Sequence, residues 1–332
     1  MRTPLVLAAA TVLLAAGAAE ARVNLRLATV APSGSAWHII LQKMVAGVGR
    51  DTSGEVRIRI IAGGSAGDES DMIRKMRIGQ VQLAALSNAG LAELDASAWT
   101  LSIPMVFRDY EEWDHVREEM NPTIDAKLEE LGFDVLAWAD VGWAHFFTAS
   151  PIETLADLQR LRLAASATDA TAVDLLRWAG FDPVPINTIE MLSGFQTGLI
   201  EAAALPVILA ESSQLYRSTP YMNDLKWAPL QAALIVHDRG LERLTPEQQG
   251  VLRRHAAAAA EEFRATNREQ EQASLSAMRR RGLSVIEASP AFEQAWLEAA
   301  QQVWPRVREE LVPGPVFDEV LRLRDEYRAS QP

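Results

Sequence analysis

The amino-terminal third of the chain alternates strand-like and helix-like patterns of apolar residues. VNLRLATVA (23–31) and VRIRIIA (56–62) place every second side chain on one apolar face, which predicts strands. Apolar residues recur at helical spacing over 36–48 and again over 71–79, and an apolar strand follows at 81–87. This βαβαβ order predicts a mostly parallel sheet with helices on both faces.

Small residues follow each of these predicted strands. They form the runs PSGS (32–35), GGSAG (63–67) and SNAG (87–90). Ligands of open α/β sheets bind at the carboxyl ends of the strands. The three runs therefore predict a cleft at one edge of the sheet, with Ser87 and Asn88 among the residues that line it.

A second series of strands and helices begins near residue 140. The segment 134–150 is long and strand-like, and LQRLRLAAS (158–166) is a strand whose end consists of small residues. The remaining elements of the series are a helix at 169–180, a Pro-bounded strand at 182–186, a helix at 189–198 and an apolar strand at 200–208. The repeated order predicts a second α/β domain.

Two long elements are expected to join the domains. WAPLQAALIVHD (227–238) has the pattern of a strand that returns to the first domain, and 245–282 has that of an unbroken helix. At 1.5 Å per residue this helix is about 50 Å long, which is enough to brace two domains. The predicted segments are a first domain at 22–140 with 229–250, a second domain at 141–228 with 283–311, the helix at 245–282 and a charged, peripheral tail at 312–332.

The first residues have the features of a secretory signal. Arg2 precedes the apolar run 5–19, and Ala19-Glu20-Ala21 is an A-x-A cleavage site. We therefore expect residues 1–21 to be removed and the mature protein to be soluble in the periplasm. The alternative is an uncleaved amino-terminal anchor.

Composition excludes several classes of function. The chain of 332 residues has no cysteine, so disulfides, thiolate metal sites and cysteine nucleophiles are excluded. Its formal net charge of −12 disfavours binding to nucleic acid through the overall field. GGSAG (63–67) lacks the Lys-Ser/Thr of a phosphate loop, and the histidines have no metal-ligand spacing. We expect no catalytic residues, no metal and no cofactor, and an exported protein of this kind is most economically a solute-binding protein.

Several stretches in order resemble the solute-binding proteins of tripartite ATP-independent periplasmic (TRAP) transporters, of the dicarboxylate-binding DctP-like type. They are LATVAPSGSAWH (27–38), AGGSAGDESDMIRKMRIGQVQLAALSNAGL (62–91), IPMVFRDYEE (103–112), PVPINTIEMLSGFQTGLIEA (183–202) and DLKWAPL (224–230). The resemblance implies two doubly wound α/β domains, similar to type II periplasmic binding proteins, joined by crossing strands and a long bracing helix. It also implies a small-molecule ligand and a membrane permease as partners.

This sequence departs from the family pattern at three polar anchor positions. The arginine that ends the family motif D-L-x-G-L-K-I-R falls on Ala164, and the arginine of G-F-R-H falls on Ala144. The asparagine of G-Q-E-N-P falls on Leu205. The resemblance is therefore to an atypical branch that lacks the carboxylate-binding arginine. That branch tends to accompany a periplasmic protein of TPR helical repeats, which makes such a protein an expected further partner.

A buried carboxylate without a charged or well-bonded partner costs several kcal/mol. The prediction is therefore a hydrophobic or amphipathic ligand. The predicted ligand-binding residues are Trp37, Ser87, Asn88, Trp143, Ala144, Ala164, Ser166, Leu205, Pro206 and Trp227. The tryptophans have an alternative role in packing domain interfaces.

Two other functions remain open. In the first, Arg162 lies two residues before Ala164, on the same face of the strand, and binds a carboxylate as in the ordinary members of the family. In the second, the protein has no small-molecule cargo and acts as a periplasmic scaffold or signalling protein.

Overall fold

The computed structural model describes residues 22–167 and 169–331. The predicted signal at 1–21 lies outside the described residues. The strands are β1 (Val23–Thr29), β2 (Val56–Ile61), β3 (Leu83–Ser87), β4 (Phe133–Thr148), β5 (Arg162–Ser166), β6 (Asp182–Ile186), β7 (Ala202–Pro206), β8 (Tyr221–His237) and β9 (Ser284–Ile286).

The helices alternate with these strands through most of the chain. They are α1 (Ala36–Asp51), α2 (Glu69–Arg77), α3 (Asn88–Leu94), α4 (Tyr110–Glu130), α5 (Leu155–Gln159), α6 (Ala170–Trp178), α7 (Met191–Gln196), α8 (Val207–Ser212), α9 (Asp238–Leu241), α10 (Pro246–Arg280), α11 (Pro290–Arg306) and α12 (Gly314–Ser330). A 3₁₀ helix covers Ala96–Ser102.

All the strands of the described chain belong to one sheet. Its order is β2-β1-β3-β8-β4-β7-β5-β6, and β9 pairs with β8. We call β2-β1-β3 the N-terminal half and β7-β5-β6 the C-terminal half. Each half is parallel within itself. Alternation along β1 directs Leu25 and Leu27 into one hydrophobic cluster and Ala28 into another, so both faces of this half are covered.

The long strands β4 and β8 run antiparallel between the two halves. They pair from Phe133 opposite His237 to Thr148 opposite Tyr221, with irregularities on β4 between 135 and 137, 140 and 142, and 144 and 146. Gly142 has φ +107°, a left-handed conformation that side chains disfavour, so a glycine suits the middle irregularity. β4 and β8 correspond to the crossing strands expected from the sequence.

The long helix α10 begins with a capping box. Thr245 accepts from the backbone N–H of Gln248, and the Gln248 side chain accepts from the backbone N–H of Thr245, while Pro246 occupies the first turn. The helix packs on β4, α1 and α8 and therefore contacts elements of both halves. Its bounds lie within two residues of the predicted 245–282.

The carboxyl-terminal segment differs from the prediction of a peripheral tail. In α12, Phe317 and Val320 are buried, at 1% and 0% exposure, in the cluster that contains Trp113 of α4. The charged residues lie between these apolar positions, and for this reason the segment looked polar in sequence. α12 is thus part of the core on the α4 side. No helix of the described residues is long and apolar enough to cross a membrane.

Candidate ligand-binding site

A cavity of about 690 Å³ lies between the two halves of the sheet. The carboxyl ends of β1, β3, β5 and β7 contribute residues to its wall, as do β4, β8 and the middle of α10. Ligand sites of open α/β sheets lie at such strand ends. The small residues that follow the strands leave this space free of side chains.

Most of the predicted ligand-binding residues lie on this wall. The predicted residues that line the cavity are Trp37, Ser87, Asn88, Ala144, Ala164, Ser166, Leu205, Pro206 and Trp227. The positions of the family anchors are brought together by strand pairing, because Ala144 of β4 lies opposite Pro206 of β7 and Ala164 of β5 lies opposite Ala203 of β7. Ala144, Ala164 and Leu205 are buried, at 1%, 8% and 4% exposure.

Trp143 is the exception, and its predicted position beside the ligand needs correction. Its side chain is outside the cavity wall and 1% exposed. The Trp143 ring packs edge-on against the Tyr110 ring, with centroids 6.0 Å apart. The Lys226 ammonium lies 5.9 Å from the centroid of the Trp143 ring. Since neighbouring side chains of a strand point to opposite faces, Ala144 faces the cavity and Trp143 does not.

The other two tryptophans lie on the wall and are also held by the core. The Trp37 indole Nε1 donates to Asn267 Oδ1 of α10 at 2.8 Å. Trp227 packs against Phe146 and Trp296, with ring centroids 5.3 and 6.2 Å apart. Trp227 therefore combines the predicted place at the ligand with the alternative packing role.

Arg162 lies away from the cavity. Its guanidinium donates to the carbonyl oxygens of Leu199 and Gly198, at 3.1 and 2.6 Å, and forms an ion pair with Glu201 at 3.2 Å. The side chain is 44% exposed. Arg162 begins β5, whereas the wall of the cavity takes residues from Leu163 onward, so position along the strand separates Arg162 from the cavity.

The acidic charge of the wall was not predicted from the sequence. Its carboxyl side chains belong to Asp68, Glu69, Asp71, Asp140 and Asp169, and no described residue of the wall is lysine, arginine or histidine. Two of these carboxylates are signalled in sequence, because Asp68 and Asp169 each stand directly before a helix, as N-cap residues do.

Glu69 binds the start of α3 across the cavity edge. Its Oε1 accepts from Ser87 N at 2.8 Å, and its Oε2 accepts from Ser87 Oγ at 2.7 Å and from Gly90 N at 2.9 Å. Gly90 must stay small, because an added Cβ would lie 2.5 Å from Glu69 Oε2. Burial raises the pKa of Glu69 above its ordinary value despite these three bonds.

Asp169 joins the two halves of the molecule. One carboxylate oxygen accepts from Ala172 N at 2.8 Å and caps α6, while the other accepts from the indole Nε1 of Trp99 at 3.0 Å. Trp99 belongs to the 3₁₀ helix that packs with α3 and α12. Burial raises the pKa of Asp169.

Two further wall carboxylates are paired with arginines. Asp71 pairs with the exposed Arg74, and Asp140 pairs with Arg117 and Arg268. In the described chain no group of acidic and histidine side chains is arranged to hold a metal ion. The arrangement is a large enclosed space with an apolar and acidic wall, which suits the binding of a molecule.

The family model described as bacterial extracellular solute-binding protein, family 7 (DctP), matches residues 27–310. Among curated relatives, the 2,3-diketo-L-gulonate-binding periplasmic protein YiaO of Escherichia coli strain K12 is 23% identical over 251 residues, which cover 75% of this chain and 76% of YiaO.

Solved structures show the same fold. A TRAP periplasmic solute-binding protein from Chromohalobacter salexigens with bound D-glucuronate has a TM-score of 0.83 and 22% identity, and the match covers 91% of this chain and 99% of that one. The sugar acid binding protein DctPAm of Advenella mimigardefordensis, in complex with galactonate, has a TM-score of 0.87 and 16% identity over 92% and 99% of the two chains. The predicted two-domain α/β fold class is confirmed.

Proposed function

This chain belongs to the bacterial extracellular solute-binding protein family 7, and from that premise we propose that it binds an apolar or amphipathic small molecule in the cavity between its halves. Members of this family are transport proteins of the TRAP type. Delivery of the ligand to a membrane permease follows from that role. The exact domain boundaries, the cleaved signal at 1–21 and the free periplasmic location are further parts of the proposal.

The single observation that carries the proposal is the chemistry of the wall. Ala144, Ala164 and Leu205 stand where the family resemblance places polar anchors, and the described wall contains no basic side chain. A carboxylate moved into this space would lose its hydration without gaining a cation, at a cost of several kcal/mol. Each buried methylene of an apolar ligand would instead contribute about 0.8 kcal/mol.

The second candidate is a carboxylate ligand. The relatives favour it, because one is named for binding a sugar acid and the two solved structures contain bound sugar acids. It requires Arg162 to leave Glu201 and two backbone carbonyls and to reach past Leu163 into the cavity. These contacts oppose that movement. A cargo-free scaffold and a TPR-repeat partner stay predictions without support from the wall chemistry.

Thermal unfolding with candidate ligands tests the proposal. A ligand at 100 times its Kd adds about 2.7 kcal/mol to the free energy of unfolding, which gives a clear shift of the melting temperature. We expect a shift with long-chain or polycyclic apolar compounds and none with D-glucuronate or succinate. Native mass spectrometry of protein purified from its own periplasm, followed by extraction of the bound molecule, would identify the cargo.

Two matched variants assign the shift to this cavity. Ala164→Arg places a charge on the wall and should abolish the shift with apolar compounds, whereas Ala164→Met fills space without charge and should weaken it less. Arg162→Ala should leave it nearly unchanged. A strong shift with a small carboxylate that disappears in Arg162→Ala would establish the carboxylate-binding alternative.

N-terminal sequencing of the exported protein tests cleavage after Ala21.

A further inference from the structure

The cavity has an acidic side. Its carboxylates accept hydrogen bonds from the nearby backbone N–H groups, which could otherwise bind an anion. Asp68 accepts from Asp71 N at the start of α2, and Asp169 accepts from Ala172 N at the start of α6. Glu69 accepts hydrogen bonds from the backbone N–H groups of Ser87 and Gly90. Backbone N–H groups at helix starts are the groups that would otherwise receive a ligand carboxylate.

These carboxylates leave negative charge at the wall. Glu69 and Asp169 make no ion pair within residues 22–167 and 169–331, and their bonds come from backbone, hydroxyl and indole donors. Glu93 lies near this acidic side, since burial and the charges of Asp68 and Asp169 raise the pKa of its carboxyl. An anionic group would meet repulsion here, and a cationic group would meet attraction.

Two buried polar groups of the same wall have no hydrogen-bond partner within the described residues. Ser102 is 2% exposed, lines the cavity, and has a hydroxyl with no hydrogen-bond partner in the described chain. The buried indole Nε1 of Trp227, also on the wall, has no partner in that part of the chain either. Buried polar atoms of folded proteins almost always have partners, so these two groups stand out on the wall, although neither atom is accessible from the cavity in this structure.

Aromatic and apolar side chains complete the wall. Trp37 and Trp99, whose rings are of the kind that attracts organic cations, line the cavity, and Leu205, Leu209 and Phe263 line it with apolar side chains. The wall thus combines attraction for positive charge with space for apolar groups.

We propose that the ligand is an amphipathic organic cation, with an ammonium or amidinium group directed to Asp68, Glu69 and Asp169 and an apolar body against the rest of the wall. This inference rests on the proposed function, because it names the polar group of the molecule that the cavity holds. It adds a sign of charge opposite to that of the sugar acids bound by the solved relatives.

Three probes of equal shape and different charge test this inference. They are 4-phenylbutylamine, which is cationic at neutral pH, 4-phenylbutanol and 4-phenylbutyrate. Isothermal titration at low ionic strength should show the amine binding at least about tenfold more tightly than the alcohol, and the carboxylate not binding. Added salt should weaken the binding of the amine and leave the binding of the alcohol unchanged.

The matched variants are Asp169→Asn and Asp182→Asn. Asparagine at 169 removes the charge and keeps one acceptor oxygen, which can serve Ala172 N or the Trp99 indole but not both. The amine should therefore lose at least about tenfold in affinity, while the alcohol, which reports only the lost hydrogen bond, should lose much less. Asp182 is exposed and lies outside the wall, so Asp182→Asn should change neither.

The outcomes separate this inference from the proposed function. Equal binding of amine and alcohol, unaffected by Asp169→Asn, would overturn the cation inference and leave the apolar cavity standing. Preferred binding of the carboxylate would overturn both and favour the sugar-acid alternative. Absence of binding by all three probes would count against both.

Discussion

Two groups of buried carboxylates lie near the crossing strands, and they are compensated in different ways. Asp140, 2% exposed, pairs with Arg117 and Arg268. Glu69 and Asp169, each 7% exposed, are bonded only to neutral donors within residues 22–167 and 169–331. The same chemical group is therefore buried with a full countercharge in one place and with dipoles alone in the other.

The difference separates a structural ion cluster from the proposed binding site. The ion cluster is closed, because Asp114 bridges Arg117 and Arg268 while both arginines contact Asp140. It holds α4 and α10 against the irregular middle of β4, and its charges are balanced internally. The carboxylates of the acidic side keep unbalanced charge that a ligand can satisfy.

The largest expected effect comes from breaking the closed cluster. Arg117→Met keeps an apolar stem against the Trp113 ring, over which the guanidinium lies at 4.3 Å, but removes a buried countercharge from Asp140. Breaking a buried ion pair costs about 3–5 kcal/mol. Urea unfolding followed by circular dichroism should show that loss at pH 7.

The matched control is Arg322→Met on the exposed face of α12. Arg322 pairs with Glu319 and Glu326 at the surface, with side-chain exposures of 50%, 44% and 62%, and its removal should leave the urea midpoint nearly unchanged. A similarly small loss of unfolding free energy in Arg117→Met would mean that the cluster does not stabilise the fold. The contrast between the two groups of carboxylates would then make no difference to stability.

Glu69→Ala tests the carboxylate bonded to neutral donors. The variant leaves Ser87 N, Ser87 Oγ and Gly90 N without their acceptor, and we expect a loss of about 2–4 kcal/mol in the free energy of unfolding. Glu69→Gln keeps one acceptor oxygen and should lose less. Chemical denaturation of the two variants checks the order, and a greater loss in the glutamine variant would contradict it.

The fold was predictable because its signals are local. Strand alternation and helical spacing set the elements, and the order of elements indicates the parallel halves. The wall residue Ser87 was predictable because it stands at a strand end, where α/β cleft residues lie. Ala164 and Leu205 were predictable because the family resemblance assigns polar anchors to their positions. Their identities then decided the apolar character of the proposal.

The rest of the site depends on long-range contacts that no local pattern carries. Glu69 meets Ser87, 18 positions away, and Trp99 meets Asp169, 70 positions away. Trp143 was placed at the ligand because the irregularity at Gly142 and the direction of the next side chains could not be seen in the sequence. α12 was judged by its charges, although its apolar stripe packs on α4.

Trp99→Phe sharpens the comparison by removing one neutral donor from Asp169. The variant breaks a buried bond between an indole N–H and a carboxylate, and the expected loss is about 1.5–3 kcal/mol. Trp113→Phe is the matched control, since Trp113 Nε1 donates at the same 3.0 Å to the carbonyl oxygen of Leu101, an uncharged acceptor. Thermal unfolding should show the larger loss for Trp99→Phe, and the reverse order would mean that the charge of Asp169 adds nothing to the bond.

The smallest effect concerns a third carboxylate that is bonded to an indole and has no ion pair in the described chain. Asp125 Oδ1 accepts from Trp138 Nε1 at 2.9 Å, and burial raises the pKa of Asp125 from 3.8 to about 6, an effect that the bond opposes. Between pH 4 and 6 the folded state therefore holds more protons than the unfolded state. The free energy of unfolding falls as pH rises through this window, and the penalty is constant above it.

Asp125→Asn removes that penalty, because asparagine keeps an acceptor oxygen for Trp138 and does not ionise. A shift of about two pKa units corresponds to nearly 3 kcal/mol, but the carboxyl is only partly buried and solvent screens it, so we expect a gain of about 1 kcal/mol at pH 7.5. The gain should shrink to zero near pH 4, as urea unfolding at a series of pH values would show. A variant that is no more stable than the parent at pH 7.5 would mean that one indole N–H compensates a half-buried carboxylate as well as arginine compensates Asp140, and the contrast between the two groups would then rest on geometry rather than on charge.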